Sequence, residues 1–130
     1  MPLDVLVDLI INNYGEQLSC LKTQDRYKFL NLPRSARLPV LSAIWKDLQV
    51  PIVLLTDRSD HALVLKEELG LWLPQAPRLY FPEPNPLFYE KASWSDTTRL
   101  DRLVTLTALS AFYIPTAIRQ KSPPIITIPA

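Results

Sequence analysis

Glycine is nearly absent from this chain: Gly15 and Gly70 are the only two in 130 residues, against 13 prolines. Phosphate loops need backbone at positive φ and close approach to the anion, so this scarcity excludes an intact glycine-rich loop. Cysteine is reduced to Cys20, which rules out an internal disulfide and fits a reduced, cytoplasmic setting. With Leu18 and Leu21 beside it, the thiol reads as half-buried in a helix. His61 is the sole histidine, so any Ser/His/Asp or Cys/His site would have to centre on it. Cys20 and His61 are too few for a metal site, which takes three or four ligands. Neither sign of charge is in excess, with a formal net charge of +1. Composition therefore makes no general electrostatic case for nucleic acid or an anionic membrane. No apolar run approaches the ~20 residues of a membrane helix. The opening Met1-Pro2-Leu3-Asp4 lacks the basic stretch of a signal peptide. A soluble, cytoplasmic protein is the expectation.

What is present is ordinary globular material, 48 % hydrophobic and 21 % charged, enough for one domain over residues 1–130. Residues 1–26 read as leading helices. Leu3, Leu6, Val7, Ile10 and Tyr14 recur at helical spacing towards Gly15 as a stop, and a short second helix covers Glu16 to Lys22. Tyr27 to Leu32 alternates like a strand. Ser35 is placed to cap a helix burying Leu38, Leu41, Ile44, Trp45 and Leu48, with Pro39 tolerated because it falls near the first turn. Pro51 to Leu55 is uniformly apolar, as for a parallel strand covered on both faces. Asp57 to Asp60 supplies caps for a helix running to about Leu69, with Gly70 just beyond it. Leu79 to Phe81 is a third short strand, and Pro82, Pro84 and Pro86 open a long loop to about Ser95. A helix from Asp96 to about Tyr113 carries Leu100, Leu103, Val104, Thr107 and Ala111 at helical intervals, and Ile125 to Ile128 is a fourth strand. Alternation of this kind predicts an α/β fold with a parallel sheet and helices on both faces. Because the chain stops on a strand with no helix after it, it reads as the N-terminal piece of something longer.

In such a sheet, phosphate docks at the turn between the first strand and its helix. Here that turn is Asn31-Leu32-Pro33-Arg34-Ser35-Ala36-Arg37-Leu38, and it departs from the phosphate-loop pattern at each defining place. Asn31 and Ala36 stand where glycines belong, Arg37 replaces the lysine, and Leu38 replaces the hydroxyl that ligates magnesium. Pro33 removes an amide donor. The fold is thus expected to be like a phosphate-loop nucleotide hydrolase with a degenerate, vestigial loop. Arg34 and Arg37 then have two readings: a plain anion site at the helix start, or a structural turn whose arginines are solvated or paired to acids.

The stretch Phe29 to Arg37 (FLNLPRSAR) resembles the degenerate loop in the UvrB-like N-terminal module of the bacterial transcription-repair coupling factor family, Mfd. Pro51 to Asp57 resembles that module's second strand, and Leu69 to Pro74 followed by Arg78 to Pro82 its passage from helix to strand. Arg99 to Leu109 resembles the next helix, and Pro124 to Pro129 the strand after it. The likeness runs in matching order over roughly residues 27–130. It departs from the family at Pro33-Arg34, where a glycine is usual, and at Phe88-Tyr89-Glu90-Lys91, too short for the DNA-gripping hairpin of UvrB. The resemblance implies a scaffold in transcription-coupled nucleotide excision repair, with no catalytic residue, cofactor or metal of its own. In the family the module recruits UvrA through an adjacent subdomain, which is not in these residues. It also restrains the rest of the parent protein, whose other domains engage DNA and RNA polymerase and drive an ATP-dependent translocase. A monomer is expected for the piece itself.

Two rival functions stay open: a nucleotide-dependent enzyme fragment like UvrB or a helicase half, and a DNA-binding module using Lys28, Arg34 and Arg37, whose affinity would fall steeply with salt. His61, beside Asp57, Arg58 and Asp60, reads as a solvated residue of a capping region, and Asp57 as a helix cap in place of a magnesium ligand. Asp96 and Asp101 face different directions on one helix and make no carboxylate pair. The loop with Phe88, Tyr89 and Trp94 lies where parallel sheets usually bind things. Its rings either form an interaction surface or cover the sheet edge.

Overall fold

Ile125-Ile126-Thr127-Ile128 is the richest β-branched run in the chain, and β-branched residues suit a pleated, buried surface. In the computed structural model, which describes residues 3–19, 21, 31–84, 94–114 and 122–130, this run is the middle of the sheet. In chain order the elements are α1 (Leu3–Ser19), α2 (Arg34–Leu48), β1 (Ile52–Thr56), α3 (Ser59–Trp72), β2 (Arg78–Tyr80), α4 (Asp96–Tyr113) and β3 (Ile125–Pro129). The protein is α/β, and among the described residues its sheet has three parallel strands in the order β1-β3-β2. Ile125, Ile126 and Thr127 are each at most 1 % exposed. Helix α3 contacts all three strands, α4 contacts β2, and α2 bridges α3 to the outlying α1.

Two apolar clusters hold these layers together. Trp45, Leu69, Leu73, Ala76 and Ile125 form the one against the sheet, with Leu38, Leu41, Ile52 and Leu54 packed on it. Val7, Leu18 and Ala43 form the other, between α1 and α2. A fully buried residue such as Leu69 or Ile125 contributes about 1.5–3 kcal/mol. At the α1–α2 seam, Lys46 pairs with Asp8 at 2.6 Å, but both are exposed, so the pair adds little.

Several boundaries differ from expectation. Helix α1 runs straight through Gly15, because the apolar spacing continues to Leu18, which is buried against Ala43. Helix α2 is capped not by Ser35 but from Pro33, with Arg34 as its first residue, so Pro39 falls two residues deeper than expected. Its ring is buried, and the packing tolerates the missing donor. Helix α3 begins after Arg58 with no side-chain cap and continues past Leu69 and Gly70 to Trp72. A Cβ on Gly70 would come within 3.1 Å of the Arg78 Cζ, so the bare backbone there admits the Arg78 side chain. Helix α4 matches its expected bounds, capped by Ser95, which accepts from the Thr98 amide. Its apolar stripe does not face inward, however: Leu100 and Leu103 are each 61 % exposed, and Val104 and Thr107 are also exposed. The buried contact is instead Thr105, whose hydroxyl reaches the Asp101 and Tyr80 carbonyls at 2.9 and 3.2 Å.

Strand β1 is not covered on both faces. Ile52 and Leu54 pack towards α3, while Val53 and Leu55 are 52 % and 71 % exposed. Among the described residues it is an edge strand, and the cover that buries Ile126 of β3 does not extend over it. Of the expected first strand, Tyr27–Leu30 lies outside the described residues, and Asn31 and Leu32 have no regular structure.

Candidate functional site

The turn into α2 is built as a helix start that offers few donors. Pro33 occupies the cap position at φ −59°, ψ 153° and has no amide to donate. The next amide that could face a ligand past Arg34 and Ser35 belongs to Ala36, and it is already bonded to the Pro33 carbonyl at 2.9 Å. Neither glycine takes positive φ; among the described residues only Gln49 does, at the far end of α2. Leu38, in the place of the magnesium-binding hydroxyl, is half-buried and packed on the sheet-side core. Asn31, Pro33, Arg34, Ser35 and Arg37 are exposed and Ala36 half-buried. Arg34 and Arg37 have no acidic partner among the described residues.

These arginines line one end of a cleft of about 700 Å³ between α2, α3 and the margin of β1. Leu38 and Leu41 form one wall and Val64 and Leu65 the other, with Glu68 and the Asp57–His61 pair on the α3 side. His61 Nδ1 lies 2.6 Å from Asp57 Oδ1, one helical turn apart. That hydrogen bond, helped by the nearby imidazole and Arg58 charges, holds the Asp57 carboxyl below the usual carboxylate range. Asp57 therefore binds His61 and does not cap α3. Thr56 donates its hydroxyl to the Arg58 carbonyl at 2.9 Å and is similarly engaged in shaping the turn. No group of three or more His, Cys, Asp or Glu is placed to hold a metal among the described residues.

The chain matches no family model, no curated protein and no solved structure.

The second region of interest, the proline-rich loop, is represented by Trp94; Phe88 and Tyr89 lie outside the described residues. Trp94 is half-buried against Arg102, whose guanidinium carbon stands 4.4 Å from its ring centre and 4.0 Å from that of Phe81. Arg102 also donates to the Pro82 carbonyl at 3.0 Å. Trp94 thus belongs to a cation–π stack that ties α4 to the end of β2. Sequence reasoning missed Arg102, and no signal marked it, since a single arginine on a helix ordinarily reads as solvated. It also missed the exposed margin of β1, for which the uniform run from Pro51 to Leu55 gave the opposite signal. The site residues do not converge: Arg34, Arg37 and Leu38 share a cleft with Asp57 and His61, while Trp94 is held separately on α4. Among the described residues, no helix is long and apolar enough to cross a membrane.

Proposed function

We propose that this chain is a non-catalytic protein-interaction module of a transcription-coupled nucleotide excision repair factor, of the UvrB-like kind found in transcription-repair coupling factors. The collinear likeness from residue 27 onward supports the family, and a parallel α/β sheet with helices packed against it is compatible with a degenerate phosphate-loop fold. The observation that carries the non-catalytic part is Leu38: where a nucleotide enzyme presents an oxygen to magnesium, this chain packs a leucine onto its core. Freeing that position would uncover apolar surface and still supply no oxygen. Pro33 and the Pro33–Ala36 bond further reduce the amides available to phosphate. In this reading the module holds its parent's other domains in place and supports UvrA recruitment through a neighbouring subdomain, in a cytoplasmic setting.

The test is a titration of the 130-residue chain with fluorescent ATP and magnesium. No saturable binding is expected up to millimolar nucleotide. Micromolar affinity would overturn the reading in favour of a nucleotide-dependent, helicase-like enzyme fragment. DNA sequence beyond the codon for Ala130 gives an independent check, since the reading requires translocase motifs in the same frame.

A further inference from the structure

The margin of β1 carries more than exposed side chains. The Ile52 amide donates to the Pro124 carbonyl at 3.1 Å, and the Ala130 amide donates to the Thr56 carbonyl at 2.7 Å. Ile52, Leu54 and Thr56 therefore direct their backbone polar groups towards β3. Parallel pairing alternates direction along a strand, so Val53 and Leu55 present their amides and carbonyls outward. No described strand lies beyond them. An edge of this kind is a template for strand addition, and most proteins blunt it with charge, proline or a covering loop. Here the exposed positions are valine and leucine.

The cleft beside this edge has a direction. Trp45, near the end of α2, bonds to Pro123 close to the start of β1. Arg34 and Arg37, at the opposite end of α2, consequently lie towards Thr56. Helix α3 begins next to Thr56 and runs back, which sets Glu68 towards the Ile52 end. Among the described residues of the cleft, Arg34 and Arg37 outnumber Asp57 near Thr56, so that end is net positive, and Glu68 makes the end near Ile52 negative. Between the two ends the walls are Leu38, Leu41, Val64 and Leu65.

We infer that the margin of β1 is a docking site for an extended segment of another protein, added as a fourth strand. The segment has apolar residues along its length, acidic residues at the end beside Thr56, and a basic residue at the end beside Glu68. Its backbone pairs with Val53 and Leu55; its side chains on one face fill the cleft, and those on the other cover the exposed valine and leucine. This deepens the interaction reading proposed above and rests on it.

Labelled peptides of about nine residues, a usual upper length for a strand, test the proposal. Each has a valine–threonine core with two aspartates at one end and a lysine at the other, in both orientations. The control carries lysines in place of the aspartates. One aspartate peptide is expected to bind the full chain with micromolar affinity, and the control to bind at least about tenfold more weakly. R34E/R37E should abolish that preference. L55P removes only an outward amide, a placement edge strands tolerate, and should abolish binding while the cooperative thermal transition persists. Failure of every peptide, equal binding of the control, or binding unchanged in both variants would overturn the proposal, as would sedimentation as a dimer that L55P dissociates. Such failures without ATP binding leave the scaffold reading standing, because that reading falls on nucleotide affinity alone.

Discussion

Asp57 shows how a single pairing redirects a residue. It follows an apolar strand and precedes a helix, where a carboxylate ordinarily accepts from helix amides, yet it sits 2.6 Å from His61. The spacing of the two residues is legible in the sequence; the choice between cap and ion pair depends on the extended backbone at Arg58, which directs the carboxylate away from the amides. Because its folded-state pKa is depressed, the contribution of Asp57 to stability is present above its unfolded value and is lost as pH falls through the folded value, in strongly acid solution. Replacing His61 with alanine should raise the Asp57 midpoint towards the ordinary value of about 3.9, as read by carboxyl carbon NMR. An unchanged midpoint would remove His61 as the cause. Leu38 makes the complementary point: its chemistry excludes a magnesium ligand from sequence alone, but its place in the core is a property of the packed helix.

At the scale of elements, existence was easier to read than extent or facing. Helix α4 was legible at both ends because Ser95 is a good cap and periodic residues continue to Tyr113. Its orientation was not, since Thr105, Arg102 and Trp94 dock it through polar and cation–π contacts and leave its leucines outward. Both glycines suggested helix ends and neither is one. They differ in what surrounds them. A Cβ at Gly15 would meet nothing within 4 Å, whereas at Gly70 it would crowd Arg78. Gly15→Ala is therefore expected to stabilise the protein by about 0.5–1 kcal/mol through helix propensity and unfolded-state entropy. Urea denaturation measures this, and a loss of stability would show that α1 needs the glycine for a reason other than space. The apolar run at β1 misled for a related reason: it records hydrophobicity and strand type, and says nothing of whether a neighbour lies on each side.

At the scale of the whole molecule, long-range bonds assemble the layers. The Trp45 indole donates to the buried Pro123 carbonyl at 2.9 Å, joining α2 to the approach to β3 across 78 residues of sequence. Trp45→Phe keeps most of the apolar contact but leaves that carbonyl unpaired, and should cost about 1–3 kcal/mol in chemical denaturation. A smaller loss would mean that water or a shifted donor satisfies Pro123. By itself the sequence determined the α/β class and the parallel sense of the sheet, and it set the expectation of a degenerate phosphate turn. These follow from local matters: residue periodicity, the alternation of strand and helix types, and the absence of glycine from Asn31 to Leu38 and of a hydroxyl at Leu38. Only the tertiary structure decided the strand order, the outward face of α4 and, among the described residues, the open margin of β1. Each of those depends on which surfaces meet across tens of residues, and side-chain chemistry alone leaves that choice free.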